Sequence, residues 1–150
     1  MTEITRVWER LYVGGHNDAE GLAKSNPLGI TTVVSLCEQE VIRRSSGVNY
    51  RHFPVEDATP LEAASFDAIM DAISDSVRQG SVLLHCGSGM SRAPILVAAW
   101  MNVAGYKNID EALEEIAEAR PIITPSKILL ASVRRHLKSC EPSPAPETRL

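Results

Sequence analysis

Residues 81–94 read SVLLHCGSGMSRAP. Ser81 to Leu84 is apolar enough for a strand buried on both faces. Gly87 and Gly89 interrupt regular backbone, and Pro94 opens a second apolar run, Ile95 to Val103, closed by Gly105. The stretch therefore predicts a strand, a short loop and a helix, with Cys86 and Arg92 at the two ends of the loop. In open parallel sheets ligands bind beyond the carboxyl ends of strands, where the next helix presents its N-terminus and unpaired backbone N–H groups.

Working outward, Arg10 to Gly14 reads as a short strand ended by Gly14 and Gly15, and Thr31 to Cys37 as a β-branched buried strand, with a short helix between them over Asp18 to Lys24. Asn49 to Val55 alternates polar and apolar residues and predicts a third strand that Pro54 ends or confines to a sheet edge. Thr59-Pro60-Leu61-Glu62 is a capping box with proline at the first helical position, predicting a helix to Arg78 that Gly80 stops. Asn108 to Glu111 is a second box, and Ile109, Ala112, Leu113, Ile116 and Ala117 follow it on one helical face. Its opposite face, Glu111, Glu114, Glu115 and Glu118, reads as solvated surface. Thr124-Pro125 caps a last helix to about Leu137. The fold class is α/β, a largely parallel, mixed sheet of about four to five strands flanked by helices. Residues 1–139 form one catalytic domain, and 140–150 a disordered proline-rich tail.

A chain of 150 residues with 44% hydrophobic content suits that single domain. Its net charge of −4 favours neither a nucleic-acid nor a membrane surface, so an anion site must be built locally. Cys37, Cys86 and Cys140 are odd in number and irregularly spaced, which suits neither a disulfide framework nor a zinc site. Free thiols, no apolar leader and no membrane-length apolar run predict a cytoplasmic protein.

The loop after Leu84 has the parts of an oxyanion site. Gly87 and Gly89 let the chain curl so that successive N–H groups converge on one centre. The same field favours a thiolate, since a cysteine near a helix N-terminus and a cation can have its pKa lowered from about 8.5 to roughly 3.5–7.5. Arg92 closes the loop with a planar fork that fits two equatorial oxygens of a transferring phosphoryl group. A leaving oxygen needs a proton, which Asp57, or Glu56 as second choice, can supply from the loop between the third strand and the long helix. A solvated acidic turn is the alternative for that pair.

HCGSGMSR carries the His-Cys-x5-Arg signature of the protein tyrosine phosphatase superfamily, and the chain resembles its small dual-specificity members over roughly residues 8–139. RLYVGGHNDAEGL is similar to the family's opening strand and turn, TTVVSLCEQE to its second strand, and FPVEDATP to its general-acid loop. The resemblance implies a protein tyrosine phosphatase-like fold and a cysteine-dependent phosphatase that needs no cofactor or metal. Cys86 would form the phosphocysteine, Arg92 bind phosphate, and Asp57 act as acid and then as base. Gly87, Ser88, Gly89, Met90, Ser91 and Arg92 would bind phosphate, and His85 would orient the loop. The implied substrate is phosphotyrosine, phosphoserine or phosphothreonine in a protein, and the enzyme a monomer with no nucleic-acid or membrane partner.

Two positions depart from the family. Ala93 stands where relatives carry serine or threonine, a hydroxyl thought to help the cysteine leave, which predicts slow breakdown of the intermediate unless Ser88 or Ser91 substitutes. Ser126 stands where relatives often carry asparagine. Cys37 at a strand end could pair reversibly with Cys86, although core packing is the commoner role of a buried free cysteine. Arg43 and Arg44 suit a solvated loop, and Trp8 and Trp100 suit packing. The rival readings are a phosphatase for a phosphoinositide or RNA 5′-phosphate, and a low-turnover phosphate-binding pseudophosphatase.

Overall fold

The structure is a computed structural model and describes residues 3–140. Strands form where β-branched and apolar residues cluster: β1 Thr5–Trp8, β2 Leu11–Gly14, β3 Ile30–Ser35, β4 Asn49–His52 and β5 Ser81–His85. The helices are α1 His16–Gly21, α2 Ala63–Gln79, α3 Arg92–Val103, α4 Ile109–Ala119 and α5 Lys127–Cys140. The sheet order is β1-β2-β5-β3-β4. β1 pairs antiparallel with β2, and every other pairing is parallel, which is the largely parallel mixed sheet expected. β1 escapes sequence reading because Thr5–Trp8 is a partly buried edge strand with a charged residue in its middle.

Register decides where chemistry can happen. Gly14 pairs with His85, His85 with Ser35, and Ser35 with His52, so the four parallel strands end level. The segments leaving β2, β5, β3 and β4 therefore emerge on one edge of the sheet.

Side chains alternate across the sheet. Val33 and Leu83 join Ala19 of α1 and Leu22 just after it on one face, while Val34, Val82 and Leu84 join the larger core under α2 to α5 on the other. Helix α3 is buried from Ala93 through Met101, which is why its sequence is apolar nearly all round. The Trp8 and Trp100 rings meet edge to face at 5.1 Å, and Trp100 Nε1 donates to Ser74 Oγ, a packing role as expected.

Four helix starts differ from the expected ones: α1 begins at His16 and α3 at Arg92, two residues before Asp18 and Pro94, while α2 and α5 begin later. Helix α2 begins at Ala63 with Glu62 as N-cap, not at Thr59. The reason is tertiary: Leu61 N–H donates to Ser132 Oγ and Leu61 C=O accepts from Ser132 Oγ and His136, so α5 has taken the backbone groups a first turn would use. Helix α5 begins at Lys127, where Ser126 Oγ, and not Thr124, accepts the capping bond from Leu129 N–H, while Thr124 N–H donates to the Met90 carbonyl. The Asn108 box forms as read, with reciprocal bonds to Glu111. Helix α5 reaches Cys140, one residue into the segment expected to be tail, and the rest of that segment lies outside the described residues. No helix among the described residues is long and apolar enough to cross a membrane.

Candidate active site

The loop Cys86 to Ser91 leaves β5 at the level edge, and α3 starts directly after it at Arg92. Its four central carbonyls, from Gly87 to Met90, are claimed from outside. Gly87 C=O accepts from His16 N–H at 2.9 Å, and Met90 C=O from Thr124 N–H at 2.7 Å. Arg120 Nη2 donates to Ser88 C=O at 3.1 Å and its Nε to Gly89 C=O at 2.9 Å. Since C=O and N–H of one peptide point oppositely, this turns the amides inward, and none of those from Gly87 to Arg92 finds an acceptor among the described residues. Gly89 makes the tightest bend, at φ +75°, and a Cβ there would lie 2.7 Å from both the Gly14 carbonyl and Arg120 Nη2.

Cys86 lies at the base of this curl, 2% exposed, and its Sγ accepts the Ala93 N–H at 3.4 Å. That amide belongs to the first turn of α3, so the sulfur sits at the positive end of the helix. Arg92 Nη1 donates to Val55 C=O at 2.8 Å, which ties the guanidinium to the start of the acidic loop. Asp57 Oδ1 accepts from Ser91 Oγ at 3.0 Å and from Ala58 N–H at 3.0 Å, where Ala58 adopts φ 58°. Ser91 Oγ in turn accepts from Ser126 N–H at 3.0 Å. The proton order is thus Ser126 N–H to Ser91 O–H to Asp57, and support at position 126 comes from backbone, which does not need asparagine. Glu56 and Asp57 are both exposed, and Asp57 is the one bonded to the Cys86 to Arg92 loop.

Ser88 is exposed and Ser91 Oγ is engaged with Asp57 and Ser126, so neither hydroxyl bonds the Cys86 sulfur in this arrangement. His85 is fully buried, with Nε2 2.7 Å from Ser35 Oγ and Nδ1 3.7 Å from Cys37 Sγ. Burial, reinforced by nearby His16, pushes its pKa down to about 4, so the imidazole is neutral near pH 7. Burial also pushes the Cys37 thiol up to about 11, against a downward pull from Arg92 and with a further upward push from Cys86. His16, Cys37, Glu38, Gln39, Gly87 and Arg92 line a pocket of about 170 Å³. Arg44 pairs with Glu40 and lies over the Tyr50 ring, and Arg43 is exposed.

Three contributors were not legible in sequence. His16 holds Gly87 through its backbone N–H, and Gly15 allows the close approach, since a Cβ there would stand 2.9 Å from the Gly87 carbonyl. Arg120 is 4% exposed and also reaches Glu3 C=O and Thr5 Oγ1 through Nη1. A signal for it existed: Ile109, Leu113, Ile116 and Arg120 fall on one helical face, so the cation extends an apolar stripe.

A family model described as "Dual specificity phosphatase, catalytic domain" matches residues 11–138. Mouse dual specificity protein phosphatase 2 is 30% identical over 120 residues, covering 77% of this chain and 37% of that protein. Rat dual specificity protein phosphatase 5 is 28% identical over 141 residues, covering 91% of this chain and 36% of that protein. The chain thus spans little more than a third of the curated relatives it matches. Among solved structures, a mouse protein described as a dual specificity phosphatase and complexed with zinc tungstate superposes with a TM-score of 0.78 at 25% identity, over 91% of this chain and 87% of that one.

Proposed function

The chain belongs to the dual specificity phosphatase catalytic-domain family, and from that premise we propose that it hydrolyses phosphomonoesters in proteins by double displacement on Cys86. One observation carries the reading: every carbonyl from Gly87 to Met90 is bonded outward, leaving a ring of amides from Gly87 to Arg92 without an acceptor among the described residues. Such a ring complements the three equatorial oxygens of a phosphoryl group in transfer.

In the proposed first step the Cys86 thiolate attacks phosphorus, the S–P bond forms as the P–O ester bond breaks, and Asp57 gives its proton to the departing oxygen. In the second step Asp57 takes a proton from water, whose oxygen attacks phosphorus and expels the thiolate. Arg92 and the loop amides hold the charge through both steps. Ser91 positions Asp57 over the loop, and His85 holds the β5 end through Ser35.

Phosphotyrosine, phosphoserine and phosphothreonine in proteins are the proposed substrates, on the strength of the family and of a loop without lysine between Gly87 and Ser91. A reducing cytosol suits an enzyme whose Cys37 and Cys86 are free. The test is hydrolysis of p-nitrophenyl phosphate by wild type, Cys86→Ser and Asp57→Asn, followed by phosphopeptide, phosphoinositide and RNA 5′-phosphate substrates. Activity abolished in Cys86→Ser and highest on phosphopeptide supports the proposal. An inert wild type that still binds phosphopeptide would replace it with a phosphate-binding module.

A further inference from the structure

The level strand ends that build the Cys86 loop also gather three side chains that the proposed reaction does not use as a group. His16 follows β2, Cys37 follows β3 and His85 ends β5. One ring nitrogen from each histidine and the Cys37 Sγ all lie within 4.8 Å of one another. Cys37 Sγ stands 3.7 Å from His85 Nδ1. In a tetrahedral zinc site, with Zn–N about 2.0–2.1 Å and Zn–S about 2.3 Å, neighbouring ligand atoms are about 3.3–3.6 Å apart. The Cys37 and His85 pair is already near that spacing, and His16, on the first residue of α1 and partly exposed, has the freedom to close the rest.

The outer hydrogen bonds assign the nitrogens. His85 Nε2 stands 2.7 Å from Ser35 Oγ, and His16 Nε2 stands 3.1 Å from Glu20 Oε2. With each Nε2–H donated outward, both rings keep Nδ1 unprotonated, that of His85 facing Cys37 Sγ, and metal-ligating histidines almost always have their second nitrogen held this way. Glu20 is itself anchored, because the Ile42 and Arg43 amides donate to its two oxygens at 2.8 Å each. His16 Nδ1 is buried and has no hydrogen-bond partner among the described residues. An orphaned buried nitrogen on a ring already oriented by a carboxylate is what a ligand awaiting its cation presents.

We propose that His16, Cys37 and His85 bind one Zn²⁺-class cation, the histidines through Nδ1 and the cysteine as thiolate. Two imidazoles and a thiolate select Zn²⁺ over Mg²⁺ or Ca²⁺. The fourth position opens on the pocket shared with Glu38, whose carboxylate or a water completes the tetrahedron. On binding, the Cys37 S–H bond breaks, its proton passes to solvent and the S–Zn bond forms, with no change of oxidation state. The linear spacing that argues against a zinc site is uninformative here, because the ligands come from three strand ends that only the sheet brings together.

The experiment uses the full, reduced chain. Zn²⁺ is titrated in competition with a chromophoric chelator, and Co²⁺ replaces it as a spectroscopic probe, with Mg²⁺ as control. Expected are one Zn²⁺ per chain and a thiolate-to-cobalt charge-transfer band that Cys37→Ser abolishes and Cys86→Ser leaves intact. Glu20→Gln should weaken Zn²⁺ binding roughly 10- to 100-fold, and His16→Ala more than that. Both side chains are partly exposed, so these variants carry the test should Cys37→Ser lose its fold. Absence of stoichiometric binding, a band that disappears with Cys86→Ser, or affinity untouched by His16→Ala overturns the site.

Discussion

Arg120 donates from Nε to the Gly89 carbonyl at 2.9 Å, joining the end of α4 to the tightest bend of the Cys86 loop. The same guanidinium holds Ser88 C=O, Glu3 C=O and Thr5 Oγ1, so one buried cation fixes the loop against the first strand. Arg120→Met would strand buried carbonyls, at about 1–3 kcal/mol for each acceptor left unpaired. The expected outcome is a lower urea midpoint together with a loss of kcat/KM larger than the loss of folded fraction explains. Equal activity per folded molecule would remove the brace from the catalytic account.

Asp57→Asn keeps the acceptor for Ser91 Oγ but has no proton to give. The fall in kcat should be about 10²–10⁴-fold with a phosphotyrosine peptide and much smaller with a leaving group that departs unprotonated, such as a fluorinated phenol. A uniform loss across leaving groups would assign Asp57 to loop structure. Ser91→Ala should show a milder form of the same pattern, because it frees the carboxylate and the Ser126 amide together.

Ala93 is fully buried and its amide touches the Cys86 sulfur at 3.4 Å, yet it offers no hydroxyl. Rapid-mixing kinetics on wild type should therefore show a burst of released alcohol followed by slow turnover. Ala93→Ser should raise the steady rate and shrink the burst. A wild type without a burst would mean that attack on the substrate, and not breakdown of the phosphocysteine, limits the reaction.

Gly15 has φ −99°, a conformation open to any residue, so Gly15→Ala costs no backbone strain. Its Cβ would stand 2.9 Å from the Gly87 carbonyl and must displace the loop. Activity should drop at least about tenfold with a thermal midpoint shifted by only a few degrees, since the displaced atoms belong to the Cys86 loop and not to the hydrophobic core. Unchanged kcat/KM would show that the loop tolerates the shift.

His85 titrates at about 4 when folded, held down chiefly by burial, whereas an unfolded imidazole titrates near 6.5. Between those values the unfolded chain takes up a proton that the folded chain refuses. Stability present above pH about 6.5 is therefore lost as pH falls toward 4, by up to about 3 kcal/mol. Urea unfolding with chelator present, at pH about 7.5 and about 5, should reveal the loss, and His85→Asn should flatten it. An equal slope in both proteins would assign the acid sensitivity elsewhere.

Much of this site was legible because its information is local. Ser81 to Val103 carries strand, loop and helix in one stretch, so Cys86, the two loop glycines and Arg92 could be placed from spacing alone. FPVEDATP put Asp57 on a short loop for the same reason. The helices expected from Thr59 and Thr124 start later because α5 takes the Leu61 backbone groups through Ser132 and because Ser126 supplies the capping bond of α5, and capping residues describe only their own turn.

What sequence alone determined is the chemistry available at one strand-to-helix turn, since backbone curvature, helix polarity and residue identity there all lie within a dozen positions. What only the tertiary structure decided is everything held across the sheet: Arg120 on Gly89, His16 N–H on Gly87, Ser91 on Asp57, and the meeting of His16, Cys37 and His85. Those depend on the parallel strands ending level at Gly14, His85, Ser35 and His52, a register set by the burial of both faces of the sheet and not by any neighbouring residue.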